Sequence, residues 1–122
     1  MAKKESLLVN RLKSVRYAFN GAIYICKTES SIKIQLVLAI LVTVAGFYFD
    51  ISNTEWILQF ICIGLILGLE GINTAIEYMA DFIHPDQHAS IGKIKDISAG
   101  AVFIAASCAC IVALIIYIPK IF

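Results

Sequence analysis

The chain has 122 residues, 60% of them hydrophobic, and a net charge of +1. Its mean hydropathy is +0.85. A soluble domain of this length cannot bury so much apolar side chain, so a water-soluble globular protein is excluded. A single integral membrane domain over residues 1–122 is expected instead, all α-helical, with no nucleic-acid partner. The four cysteines, Cys26, Cys62, Cys108 and Cys110, show no CxxC spacing and read as small apolar filler.

From about residue 7 to 28 the apolar positions Leu8, Leu12, Val15, Phe19, Ile23 and Cys26 recur at helical spacing, with Arg11, Lys13, Arg16 and Lys27 around them. This is the pattern of an amphipathic helix lying on a membrane surface. The N-terminus is polar and basic for too long to read as a cleaved signal peptide. Thr28, Ser30 and Ser31 are candidate caps for the helix that follows. Residues 32–49 make a first span, with Lys33 and Gln35 placed to snorkel to the interface. A six-residue loop, Asp50 to Glu55, makes the next span an antiparallel neighbour. Trp56, Phe47 and Tyr48 suit an interfacial belt.

The second span, 56–82, carries a GxxxG at Gly64 and Gly68, a motif that permits close helix approach. His84, Pro85, Asp86, Gln87 and His88 end it. The two histidines are a weak metal pair, because Pro85 disfavours a regular helical turn between them. The third span, 97–118, opens with small residues, and Ser98, Ala101, Ala105, Cys108 and Ala109 can form one slim packing face. Lys3, Lys4, Arg11, Lys13, Arg16, Lys27 and Lys33 precede or open the first span, and Lys93 and Lys95 lie between the second and third. The positive-inside rule then puts the N-terminus and the 82–96 loop in the cytoplasm.

The second span is unusual in its charges. Glu70, Asn73, Glu77 and Asp81 fall within roughly 80° on a helical wheel, with Thr74 beside them and Leu65, Gly68 and Met79 opposite. A carboxylate in the bilayer costs at least about 2.5 kcal/mol, so a stripe of them needs a reason. Pairing with lysines of a neighbouring helix is one. An acidic site at the membrane edge, holding a cation or a substrate hydroxyl, is the other. There is no GxxxxGK[ST], no protein-kinase signature and no GxSxG. Phosphoryl transfer nevertheless needs little beyond carboxylates, a magnesium ion and a few basic groups. Glu70, deepest in the stripe, is the candidate general base. Glu77 lies nearer the span's end, and Glu29 has the position to approach it at the same depth. Asn73 can donate and accept between the glutamates.

The run Glu70, Gly71, Ile72, Asn73, Thr74, Ala75, Ile76, Glu77, followed by Asp81, Lys95, Asp96 and the small residues from Ala99, resembles the prokaryotic diacylglycerol kinase family, which includes undecaprenol kinases. The resemblance runs from about Tyr17 to the C-terminus. Tyr17 to Gly21 and His84 to His88 are more like the undecaprenol kinase branch. It implies a homotrimer in the bacterial inner membrane, with sites shared between protomers. It implies transfer of the ATP γ-phosphate to a membrane lipid alcohol, undecaprenol ahead of diacylglycerol, with Mg2+. Glu29 and Glu77 would hold the metal. Glu70 would be the catalytic base and Asn73 would position the reacting groups. Lys13, Tyr17, Asp81, Lys95 and Asp96 would lie at the nucleotide. At the N-terminal end Asn10 stands where the family has a basic residue, and Arg16 replaces a small one. Two other readings fit an intramembrane glutamate: a small proton-coupled transporter, and a non-catalytic membrane subunit whose stripe serves assembly.

Overall fold

The structure is a computed structural model that describes residues 6–122, so Lys3 and Lys4 lie outside it. The described residues form four helices and no strand: α1 (Leu7–Thr28), α2 (Ser30–Tyr48), α3 (Asn53–Ile83) and α4 (Ala89–Ile121). Three of them, α2, α3 and α4, are long and apolar enough to cross a membrane. At 1.5 Å per residue the 31 residues of α3 extend about 46 Å, more than the roughly 30 Å of hydrocarbon. Both ends of α3 therefore have length to spare beyond the apolar layer. The helix α4 likewise starts at Ala89, ahead of the apolar run expected to form a span at 97. Hydropathy marks where a helix is greasy, not where its hydrogen-bond ladder begins.

Burial is inverted relative to a soluble protein. The buried side chains include Gln59, Glu70, Asn73, Thr74 and Ser98, beside Ile32, Ile51, Ala80, Val102, Ala105 and Ile116. Leu41, Phe60, Ile61, Phe103 and Ile115 are among many large apolar groups that face outward. Water would not tolerate that surface, whereas lipid tails are as apolar as the side chains they meet. The chain is an all-helical membrane protein.

The helix α3 is the spine. The pair α3–α4 is the most extensively packed, and α1 and α2 also pack on α3. The slim face expected on α4 is used in part: Ser98 and Ala105 are buried, together with Val102, while Ala101 and Cys108 face outward. The close approach between α2 and α3 does not use the GxxxG. A Cβ added at Gly64 or Gly68 would meet nothing within 4 Å. It is Gly46 that lies under a neighbour, where a Cβ would come 2.6 Å from Trp56 Cη2 and 3.1 Å from Ile51 Cδ1.

Gly46 also belongs to the turn that reverses the chain. The N–H of Ile51 donates to Gly46 O at 3.1 Å and that of Asp50 to Phe47 O at 3.3 Å, a Schellman ending of α2. Asp50 takes the left-handed position, φ 50, which Asp tolerates better than most residues. Ser52 then caps α3 in a capping box: its Oγ accepts from Glu55 N at 3.2 Å, and Glu55 Oε1 accepts from Ser52 N at 3.0 Å. Lys120 of α4 reaches both oxygens of Glu55 at 3.0 and 3.1 Å. Tyr117 donates to Val42 O at 3.0 Å, which ties α4 to α2 at the same end. Replacing Gly46 by Ala should drive Trp56 off α2 and lower stability by about 1–3 kcal/mol, the usual cost of overpacking. Thermal unfolding in detergent followed by circular dichroism measures it.

Candidate active site

The polar stripe of α3 is turned inward, toward α1 and α2. Glu70, Asn73 and Thr74 are buried, Glu77 is half-buried and Asp81 is exposed, while Leu65, Gly68 and Met79 face outward. The stripe thus descends from the interior of the helix bundle to its open end. The Thr74 hydroxyl donates back to Glu70 O at 3.1 Å, which satisfies a β-branched polar side chain within the helix.

Glu70 is only 8% exposed. Its Oε2 accepts from Gln35 Nε2 at 3.3 Å. Gln35, expected to snorkel outward, turns inward instead. Ile32, Gln35, Ala39, Val42 and Gly46 follow helical spacing and form the inner face of α2. That spacing was the available signal, and the uniform greasiness of the span obscured it. Gln35 Oε1 is buried without a hydrogen-bond partner, and so is Asn73 Oδ1. Asn73 Nδ2 donates to Glu77 Oε1 at 3.3 Å. Two buried acceptors without donors beside two carboxylates mark a place whose polar valences are not completed by the chain's own side chains.

Glu29 occupies the break between α1 and α2, with extended backbone (φ −96, ψ 118). It is the N-terminal cap residue of α2 but makes no side-chain cap bond. The candidate caps do not act either: Thr28 Oγ1 donates to Tyr24 O at 2.7 Å instead. Glu29 Oε1 accepts from the hydroxyl of Tyr78, at 3.2 Å. Tyr78 directly follows Glu77 on α3, so this contact places the junction carboxylate at the level of the stripe.

At the open end Lys95 Nζ lies 2.6 Å from Asp81 Oδ1, among the described residues the one part of the stripe that is paired by a neighbouring lysine. Asp81 and Lys95 also line a cavity of about 450 Å3 formed with the 84–88 loop. The two histidines there have their Nδ1 atoms engaged with the chain itself. His84 Nδ1 is 2.8 Å from Asp86 O, and His88 Nδ1 accepts from Ser90 N at 3.0 Å as the cap of α4. Asp96 is exposed on α4, and Lys13 and Tyr17 are exposed on α1. Among the described residues α1 packs on α2 and α3 and not on α4. One chain therefore joins Glu70 to Gln35, Asn73 to Glu77 and Lys95 to Asp81, while the helix that carries Lys13 and Tyr17 does not pack on the helix that carries Lys95 and Asp96. A second, apolar groove of about 480 Å3 runs between α2 and α4 over α3, from Gln35 to Gln59.

The family model for prokaryotic diacylglycerol kinase matches residues 16–117. The chain belongs to that family. Its members are membrane lipid kinases, and the transporter reading finds no support in it. Among named relatives, the undecaprenol kinase of Bacillus subtilis (strain 168) is 36% identical over 108 residues, 88% of each chain. The diacylglycerol kinase of Haemophilus influenzae is 29% identical over 102 residues, 84% of this chain and 86% of the relative. That of Escherichia coli (strain K12) is 26% identical over 105 residues, 86% of each.

Within this family frame the exposed Asp81–Lys95 pair separates fold from function. Surface ion pairs contribute about 0–1 kcal/mol. Asp81→Asn should leave the unfolding midpoint in detergent within about 3 °C of the parent, so a larger loss of kinase turnover in that variant reports the site and not the fold.

Proposed function

We propose that the protein transfers the γ-phosphate of ATP to a membrane lipid alcohol, with undecaprenol as the favoured acceptor and diacylglycerol next. The observation that carries the proposal is the inward-facing Glu70–Asn73–Glu77 stripe, with its orphaned amide oxygen, on a helix of a lipid-kinase family member. The preference for undecaprenol rests on the higher identity to the Bacillus subtilis enzyme and on the Tyr17–Gly21 and His84–His88 segments.

In this reading Glu70 accepts the proton of the lipid hydroxyl as its oxygen attacks the γ-phosphorus. The bond from that phosphorus to the bridging oxygen of ATP breaks, and ADP leaves. Gln35 holds the Glu70 carboxylate in place. Asn73 aligns the hydroxyl and the phosphoryl group between Glu70 and Glu77. The apolar groove that ends at Gln35 offers the first units of the lipid tail a path to Glu70. Lys95, shared with Asp81, and Asp96, Lys13 and Tyr17 serve the nucleotide.

The donor set suits magnesium. Among the described residues no three His, Cys, Asp or Glu side chains gather into a closed metal site. Glu29 and Glu77 supply two carboxylates, and magnesium commonly takes one or two together with substrate phosphates and water. Bound there with the nucleotide, it neutralises the phosphate charge that builds up in transfer. Because Lys13 and Tyr17 stand on a helix that does not reach α4, a site completed by a neighbouring protomer is part of the proposal, in a homotrimer. The clustering of basic residues at the N-terminus and in the α3–α4 connection supports a reading in which that end, and with it the ATP, is on the cytoplasmic side of a bacterial inner membrane.

The deciding experiment supplies the purified protein with labelled ATP and either undecaprenol or diacylglycerol in mixed micelles. Labelled undecaprenyl phosphate in excess is expected, and labelling of neither lipid overturns the proposal. Glu70→Gln should lower turnover by about 10²-fold or more at unchanged oligomeric state, the scale of a lost general base. Glu77→Gln should instead raise the magnesium concentration needed for half-maximal rate, read from a magnesium titration at fixed ATP.

A further inference from the structure

Glu29 stands at a place where the backbone gives it little guidance. It lies between two helices, in extended conformation, and forms no cap bond with its side chain. A glutamate there has three rotatable side-chain torsions, and its side chain makes no cap hydrogen bond that would hold them. What restrains it comes from other helices. Tyr78 of α3 donates its hydroxyl hydrogen to Glu29 Oε1 at 3.2 Å. The Tyr78 oxygen lies 3.2 Å from the hydroxyl of Tyr24, on α1. With the Tyr78 proton committed to Glu29, Tyr24 is left as the donor to Tyr78. The three groups form a directed chain, Tyr24 to Tyr78 to Glu29, that ends on one carboxylate oxygen and leaves Oε2 available.

We infer that Tyr78, supported by Tyr24, is a positioning residue that orients the Glu29 carboxylate for a divalent cation shared with Glu77. The inference rests on the assignment of Glu29 and Glu77 as metal ligands. Its chemistry is that of partners behind metal ligands generally: a donor on one oxygen fixes the plane of the carboxylate and the direction of the other oxygen. The position in the chain adds to this. Tyr78 is the residue after Glu77, so one turn of α3 carries a ligand and the hook for its partner. Both tyrosines are half exposed. Neither is needed to fill a core, which makes a purely structural role a poor account of the contact.

The test uses the whole protein in detergent micelles with Mn2+ as the probe, free Mn2+ being counted by electron paramagnetic resonance in the presence of a non-hydrolysable ATP analogue. Tyr78→Phe, which removes only the hydroxyl, should weaken Mn2+ binding about tenfold, the lower end of the range for such partners. Tyr24→Phe should shift it in the same direction by less. In turnover, Tyr78→Phe should raise the Mg2+ concentration for half-maximal rate by a similar factor while kcat at saturating Mg2+ stays within about twofold, a split that a loosened fold would not produce. Glu29→Gln serves as the reference. If it weakens Mn2+ binding and Tyr78→Phe does not, the metal assignment stands and the positioning role is overturned. If Glu29→Gln itself leaves Mn2+ binding unchanged, both are overturned.

Discussion

A carboxylate buried among apolar helices is the constraint on which this structure depends. Glu70 is surrounded by protein, in a segment otherwise fit for lipid, and its transfer from water is unfavourable by at least about 2.5 kcal/mol. That cost is offset only if α3 keeps one face toward α1 and α2. Rotating α3 by half a turn would put Glu70, Asn73 and Glu77 against acyl chains and bring Leu65 and Met79 inward. The penalty for that error grows with each polar residue on the stripe, so the stripe sets the rotation of α3 more firmly than its apolar contacts do. Side-chain packing alone would be a weak guide, because large apolar groups cover the outside of the bundle as well as its interior.

With α3 fixed, the two ends of the bundle come out differently. At the Asn53 end the polar valences are closed: a Schellman ending, a capping box, the Lys120–Glu55 pair and the Tyr117 hydroxyl on Val42 O join α2, α3 and α4. Gln59 Nε2 also donates to Val42 O at 3.1 Å, and its Oε1 shares the single Tyr117 hydroxyl hydrogen with Val42 O. Toward the Ile83 end the same three helices hold unpartnered amide oxygens on Gln35 and Asn73. Among the described residues, the ion pairs of Asp81 and Glu55 leave Glu29, Glu70 and Glu77 with neutral donors alone. A chain this short divides its labour by position: one end is stitched, and the other keeps its polar groups incomplete.

How much of this the amino-acid order revealed follows from the contrast available to each residue. Glu70, Asn73 and Glu77 were legible because charge in a greasy segment is conspicuous and its period is helical. The three apolar helices were legible for the same reason. Gln35 was not, since it sits near the start of α2, where a polar residue is ordinarily excused as snorkelling. The tyrosines were silent because Tyr24 and Tyr78 are 54 residues apart, and periodicity within one helix says nothing about which faces meet. The glycines misled in an instructive way. Gly64 and Gly68 match a packing motif yet have open space where a Cβ would sit, whereas at Gly46, in no motif, a Cβ would come 2.6 Å from Trp56. Motifs record what helices can do with a partner, while contact depends on which face the expensive polar groups have already claimed.

The slope of the stripe gives the proposed chemistry its physical setting. From Glu70 to Asp81 is 11 residues, about 16 Å along the helix. Over that distance the side chains pass from buried through half-buried to exposed. The two substrates in the proposal differ in the same sense, one confined to hydrocarbon and the other to water. Neither can move far toward its partner: a long prenyl chain loses about 0.8 kcal/mol for each methylene pulled into water, and a triphosphate is still less welcome in lipid. A single helical face graded from apolar to aqueous surroundings lets each remain in its own solvent while their reacting atoms meet part-way. The proton acceptor then belongs at the apolar end, where the hydroxyl is, and the metal-holding carboxylates belong toward water, where the nucleotide is. Glu70 and the Glu29–Glu77 level occupy those places in that order, and reversing them along α3 would leave each group facing the wrong reactant.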